Sequence, residues 1–214
     1  MDDIVLIVAD SLGMPREGVS YKNTYIHKLR KSTSKEFVDR SKRARTTDSL
    51  QKEDTLERYD PDIIITQVGI VDCAPRYSNE YERELFKIVP STFTNPYMSV
   101  MKTVRTRKAK RQYVPPSCFK SNLKQYYKRA EKNDIQVISI AIASPTAQLQ
   151  EANPHIDIEI KKYNNIYKDL ADDFRNVRIL EPYDPHNVEQ MMINDHHPNA
   201  LGHEYIFNSI KELL

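Results

Sequence analysis

The chain has 214 residues, 39% of them hydrophobic and 29% charged, with a formal net charge of +2. That length and apolar share suit one compact domain with its own core, and exclude collagen-like, coiled-coil and disordered chains. No apolar run approaches the ~20 residues of a membrane span, and two cysteines, Cys73 and Cys118, are too few for a disulfide framework or a four-cysteine zinc site.

In chain order, two acidic residues precede a short apolar run, unlike the basic start of a secretion signal, so a cytoplasmic protein with reduced thiols is expected. Ile4–Ala9 is a continuous apolar run that predicts a strand. Asn23–Ser32 predicts a helix with Tyr25, Ile26 and Leu29 on one side, and Glu36–Val38 a weaker strand. Asp62–Val68 predicts a strand introduced by Pro61 and closed by Gly69, and Asn79–Val89 a helix. Residues 90–117 hold four prolines around a basic run and predict an irregular loop or lid. A helix over Phe119–Lys132, a strand over Ile135–Ile142, a helix over Ile156–Phe174, a weaker strand over Val177–Leu180 and a helix over Asn199–Leu214 complete the order. Short non-alternating apolar runs fit strands buried on both faces. The alternation predicts a single domain over 1–214: an α/β fold, a three-layer α/β/α sandwich around a mainly parallel five-stranded sheet with right-handed crossovers.

Charge is unevenly spread. Residues 28–45 carry eight Lys or Arg against two acids, and 102–111 carry six with none, whereas 151–214 carry twelve acids against six bases. Such stretches are most often solvated surface. No zinc-finger or RRM signature accompanies them, so nucleic acid stays a minor alternative. As part of a lid, 102–111 would favour anionic substrates such as acidic sugars or sugar nucleotides.

Four glycines cannot build a G-x-G-x-x-G or P-loop, which removes the dinucleotide and Walker readings. Ligands of open α/β sheets bind beyond the carboxyl ends of the strands. Three polar clusters fall at such places or in the tail: Asp10-Ser11-Leu12, Gly69-Ile70-Val71-Asp72, and Asn194-Asp195-His196-His197-Pro198-Asn199. A serine becomes a nucleophile once a base takes its proton, and His197 can be that base if the C-terminal segment returns to the first strand. A nearby carboxylate would orient the imidazole and stabilise its charged form.

These clusters, in this order over residues 4–210, resemble the sequence blocks of the SGNH/GDSL hydrolase superfamily. Asp10-Ser11-Leu12 is similar to its first block, Gly69–Asp72 to its third and His197-Pro198-Asn199 to its last. The stretch Val68–Arg76 is similar to that of small SGNH-like proteins encoded with bacterial surface-polysaccharide genes. The resemblance implies a flavodoxin-like strand order, Ser11 as nucleophile, His197 as base, donors that hold an oxyanion, and neither metal nor organic cofactor.

The chain departs from the family pattern in four places. Ala9 stands where a glycine usually precedes Asp-Ser. The second-block glycine, a backbone N–H donor, has no counterpart in Arg40–Thr47, and Ala44 is its nearest equivalent. The third-block asparagine, a side-chain donor, is Val71, so another donor must substitute, with Arg76 the candidate; one lost donor can cost on the order of 3 kcal/mol. The family's acid lies three residues before its histidine, at Asn194, whereas Asp195 lies two before; Asp195 is favoured and Asn194 is the alternative.

Rival readings use the same residues. Asp195, His196, His197 and His203 could bind a divalent metal, though their spacing fits no zinc motif and His196 reads first as a supporting or surface residue. Cys73 could be a nucleophile, but a buried structural thiol is the commoner case. Tyr126, Tyr127, Tyr163 and Tyr167 could stack on sugars, but their helical spacing reads first as core. The expected function is a serine-dependent esterase removing O-acyl, chiefly O-acetyl, groups from a sugar or glycan precursor, with an acylated carbohydrate or sugar nucleotide as partner. An O-acyltransferase with the same machinery and a degenerate binding module are the alternatives. Oligomeric state is not legible.

Overall fold

The computed structural model describes residues 3–75, 112–193 and 196–214. Five strands, β1 (Ile4–Ala9), β2 (Glu36–Asp39), β3 (Ile63–Gln67), β4 (Gln136–Ile140) and β5 (Val177–Leu180), form one sheet in the order β2-β1-β3-β4-β5. Every pairing is parallel, in registers that include Ile7 with Ile65 and Val137 with Val177. The expected "mainly parallel" sheet is thus wholly parallel, and its order is the flavodoxin-like one.

The described helices are α1 (Tyr25–Ser32), α2 (Asp48–Lys52), α3 (Thr55–Tyr59), α4 (Ile70–Cys73), α5 (Pro116–Lys132), α6 (Ala147–Ala152), α7 (Ile156–Asp173), α8 (Val188–Met191) and α9 (Ala200–Lys211). Among the described residues, none is long and apolar enough to cross a membrane. Helix α1 starts at Tyr25 because the Thr24 side chain accepts the N–H of His27 and caps it. Helix α5 reaches back to Pro116, with proline in its first turn, so the end of the expected 90–117 loop is helical. Helix α9 ends at Lys211 rather than Leu214. Short helices α2, α3, α6 and α8 carry too few apolar positions to show a period. The expected helix at 79–89 and most of the expected lid, 90–111, lie outside the described residues.

Strand β1 explains the layering. Val5, Ile7 and Ala9 face a cluster with Tyr25, Ile26 and Leu29 of α1 and Ile206 and Ile210 of α9. Leu6 and Val8 face the opposite cluster, built by Phe119, Leu123 and Tyr127 of α5 and Ile160, Tyr163 and Tyr167 of α7. Both faces of β1 are therefore buried, which is why its sequence is apolar without alternation. The connection to β2 leaves β1 on one side and the return to β3 emerges on the other. That reversal opens a crevice between the ends of β1 and β3, where ligands of such sheets bind.

The four tyrosines proposed as alternative sugar stackers are fully buried. Tyr167 Oη donates to the Val68 carbonyl at 3.1 Å, and Tyr127 Oη is 2.7 Å from Ser139 Oγ, itself 2.8 Å from Thr66 Oγ1. These hydroxyls tie helices to strand ends and are core residues. Ser139→Ala would strand two buried hydroxyls, each of which costs about 1–3 kcal/mol unpaired. Urea denaturation should show a loss in that range, and a Ser139→Ala/Tyr127→Phe double variant should recover part of it.

Candidate active site

Ser11 opens a single 3-10 turn, Ser11–Gly13, immediately beyond β1. The turn is held by Asp10, whose Oδ1 accepts the Leu12 N–H at 2.8 Å, and whose own N–H donates to the Gln67 carbonyl at the end of β3. Ser11 thus sits beside the switch-point crevice with its side chain partly exposed.

His197 arrives from the other end of the chain. Ile193 N–H donates to the His197 carbonyl at 2.8 Å, Met192 and Pro198 form an antiparallel bridge, and Asn199 N–H donates to the Met191 carbonyl at 2.9 Å. Asn199 also caps α9, its Oδ1 accepting the Gly202 N–H at 3.0 Å while its Nδ2 donates to the Gln190 carbonyl at 2.7 Å. Gly202 has to be glycine, because a Cβ there would lie 2.3 Å from the Met191 carbonyl oxygen. The clamp brings His197 Nε2 to 3.3 Å from Ser11 Oγ across 186 residues of sequence. With the proton on Nδ1, Nε2 accepts from the serine hydroxyl, the arrangement a general base requires.

Gly69 precedes α4 with φ +117, and a Cβ there would lie 2.9 Å from Ile142 Cδ1; both facts favour glycine. Val71 is buried in α4, and its side chain offers no donor. Ala44 lies in the β2–α2 segment at φ 56, a left-handed conformation that favours glycine. Lys42 N–H donates to the Ala9 carbonyl at 3.0 Å, which sets this segment against the end of β1. The structure therefore gathers Ser11, His197, Ala44, Gly69 and Val71 at one edge of the sheet. Arg76, Asn194 and Asp195 lie outside the described residues.

Beneath this edge are two carboxylates whose partnership had no sequence signal. Asp72 Oδ1 accepts both the N–H (2.9 Å) and Oγ1–H (2.6 Å) of Thr47, tying α4 to the Ala44 segment. Burial raises its pKa to about 6 against those two hydrogen bonds. Asp10 is wholly buried; burial first, and then the neighbouring Asp72 charge, raise its pKa to about 7 against the Leu12 N–H and the more distant Arg45 and Arg16 charges. The second oxygen of each has no hydrogen-bond partner among the described residues. Arg45, also buried, pairs with Glu53 at 2.7 Å and donates to the Arg40 carbonyl at 2.7 Å. The Asp10 and Asp72 letters stand in the motifs, but the pairing of residue 47 with 72 could be found only in three dimensions.

The rivals fare differently. Among the described residues no three His, Cys, Asp or Glu side chains converge as a metal site. His203 is buried, with Nδ1 accepting the Tyr25 N–H and its pKa pushed down to about 4 by burial and then by the nearby Lys28 and Arg16 charges, so it serves the α1–α9 contact. His196 packs on His197, ring centroids 4.0 Å apart, as a supporting residue. Cys73 is buried in α4, as a structural thiol would be.

A parallel α/β fold with a serine and a histidine meeting at the switch point defines a hydrolase-like class. The GDSL-like lipase/acylhydrolase family model matches residues 9–205, and the chain belongs to that family of ester-hydrolysing enzymes and is one of them. It is similar in structure to a putative lipolytic protein of the G-D-S-L family from Desulfitobacterium hafniense DCB-2 (18% identity, 100% of each chain, TM-score 0.66). It is similar to a psychrotrophic esterase from Pseudoalteromonas sp. inhibited by monoethylphosphonate (17% identity, 99% of this chain and 98% of that, TM-score 0.61). It is also similar to a catalytic mutant of an acetylxylan esterase from Geobacillus stearothermophilus (13% identity, 98% of this chain and 93% of that, TM-score 0.65). Among curated proteins no sequence relative is found.

The buried Asp10 carries a pH signature. The folded chain holds its proton up to about pH 7, whereas the unfolded chain releases it in the ordinary carboxylate range. Stability linked to this group is therefore present at low pH and lost as pH rises toward 7. Asp10→Asn, which keeps the Oδ1 acceptor, should gain on the wild type across pH 4–7 with a slope of at most ~1.4 kcal/mol per pH unit. Denaturant melts of both proteins over pH 4–8 check this; parallel curves would contradict it.

Proposed function

We propose that this chain, acting as one catalytic domain over residues 1–214, is a serine-dependent carbohydrate O-acyl esterase, chiefly a deacetylase. The observation that carries the reading is the 3.3 Å approach of Ser11 Oγ to His197 Nε2. Ser11 Oγ attacks the ester carbonyl carbon as His197 Nε2 takes its proton. The tetrahedral intermediate collapses, breaking the bond to the sugar oxygen, which leaves with the proton from His197. Water, deprotonated by His197, then attacks the acyl-Ser11 ester, releasing the acid and restoring the serine.

In this reading Ala44 and Gly69 supply backbone N–H groups to the oxyanion, and Arg76 supplies the side-chain donor that Val71 lacks. Asp195 orients His197, with Asn194 the alternative. The sugar portion is supported by the likeness to an acetylxylan esterase. A transferase reading differs only in the acceptor, a sugar hydroxyl in place of water. A binding-module reading draws on Val71, whose side chain cannot donate.

Ser11→Ala should abolish acetate release from O-acetylated sugars and covalent labelling by a fluorophosphonate, with the circular dichroism spectrum retained. Undiminished turnover in the folded variant would sink the serine mechanism. If Asp195 orients His197, Asp195→Asn should cut kcat by orders of magnitude and Asn194→Ala by less. The reverse ranking in steady-state kinetics assigns that role to Asn194, and small effects of both leave a Ser-His dyad.

A further inference from the structure

The segment that follows β2, Arg40-Ser41-Lys42-Arg43-Ala44-Arg45, holds four cations and no acid in six residues. Its backbone is pinned to the nucleophile strand: Arg40 N–H donates to the Ile7 carbonyl at 2.8 Å and Lys42 N–H to the Ala9 carbonyl at 3.0 Å, two residues before Ser11. Two of the four cations are engaged in holding the segment. Arg45 is buried against Glu53, and Arg40 lies over the Tyr59 ring, 5.8 Å from its centroid, with its carbonyl accepting from Arg45.

Lys42 and Arg43 are different. Both are exposed, and neither pairs with an acid among the described residues. The acids of the surrounding elements have other partners: Asp39 accepts from Ser41 N–H and Oγ, Asp48 from Asn122, Asp72 from Thr47 and Asp10 from Leu12. Two cations with no acid partner among the described residues thus stand beside the end of β1, immediately before Ala44, on a loop fixed by backbone hydrogen bonds and a buried ion pair.

We infer that Lys42 and Arg43 form an anion subsite at the mouth of the active site, which selects acylated sugars bearing a carboxylate or a phosphate on the sugar portion. This deepens the esterase reading and rests on it. An anion placed there meets two positive charges within a Debye length, an attraction that acts on capture and is screened by salt. Arginine offers a planar fork to either oxyanion, and lysine a mobile point charge.

The test uses three mono-O-acetylated probes, methyl glucoside (neutral), methyl glucuronoside (carboxylate) and glucose 1-phosphate (phosphate), with p-nitrophenyl acetate as the control for ester chemistry. The full chain should show a kcat/KM at least fivefold higher for one or both anionic sugars than for the neutral one, and the preference should shrink toward unity at 0.5 M salt. Which anionic probe leads tells carboxylate from phosphate. Lys42→Ala/Arg43→Ala should remove the preference mainly through KM, and Lys42→Glu/Arg43→Glu should reverse it. Equal turnover of all three sugars, or an anion preference that both double variants retain, overturns the subsite. Cleavage of p-nitrophenyl acetate with none of the sugars cleaved overturns the sugar reading and the subsite with it. Failure on p-nitrophenyl acetate as well removes the esterase reading itself.

Discussion

Asp72 accepts two hydrogen bonds from Thr47 while buried beneath the ends of β1 and β3, and the geometry of the candidate site follows from that contact. A parallel sheet delivers its loops to one edge but does not fix them against each other, because the ladder stops where the strands stop. Here side-chain acceptors continue the work of the ladder. Asp10 shapes the Ser11 turn, Asp72 fastens the segment after β2 to the segment after β3, and Asn199 fastens the His197 segment to α8 and α9. Asp10 and Asp72 lie in low-dielectric surroundings, where a hydrogen bond is strong and an unpaired oxygen is costly.

That cost explains the electrostatics. Each carboxylate has one oxygen satisfied and one without a partner, and burial lifts both from the ordinary acid range to about 7 and about 6. The two sit close enough for the charge of Asp72 to lift Asp10, so ionising both at once is disfavoured. The floor of the site therefore carries less negative charge near neutral pH than its sequence implies. Less negative charge below Ser11 is compatible with the proposed reaction, which develops an oxyanion above it. Structural support and site electrostatics are properties of the same atoms.

The sheet was legible because both its faces are buried. The run at 4–9 is wholly apolar, those at 62–68 and 135–142 hold three and two polar residues without strict alternation, and the helices at 119–132 and 156–174 repeat their apolar positions at 3.6 residues. The clusters holding Ser11 and Gly69 were legible from their places after the first and third expected strands, and the approach of His197 from the tail to Ser11 matches the order of those clusters. What escaped was decided by contact between distant segments. Thr47 and Asp72 are 25 residues apart and neither alone signals a cap. The helices at 48–52 and 55–59 have too few turns to show a period. The start of α5 at Pro116 was hidden inside a proline-rich stretch read as loop, although proline is at home in a helix's first turn.

Val71 gives the site its individual character. Asn at this position would add a polar side chain to α4, whereas Val71 packs in the core cluster beside Ile70 and Cys73. The substitution exchanges a donor for apolar contact, and it happens next to Gly69, whose φ of +117 already commits the local backbone to one conformation. Ala44 makes the complementary compromise: it keeps a left-handed backbone that glycine would adopt without strain, at a cost of roughly 1–2 kcal/mol. In the proposed reaction the side-chain donor missing at residue 71 falls to Arg76, and the other oxyanion contacts fall to backbone N–H groups at Ala44 and Gly69. Under that proposal the backbone donors belong to segments that Asp10 and Asp72 hold by hydrogen bonds, so the rigidity of the buried floor would bear on the reaction more than it would with an asparagine reaching into the site.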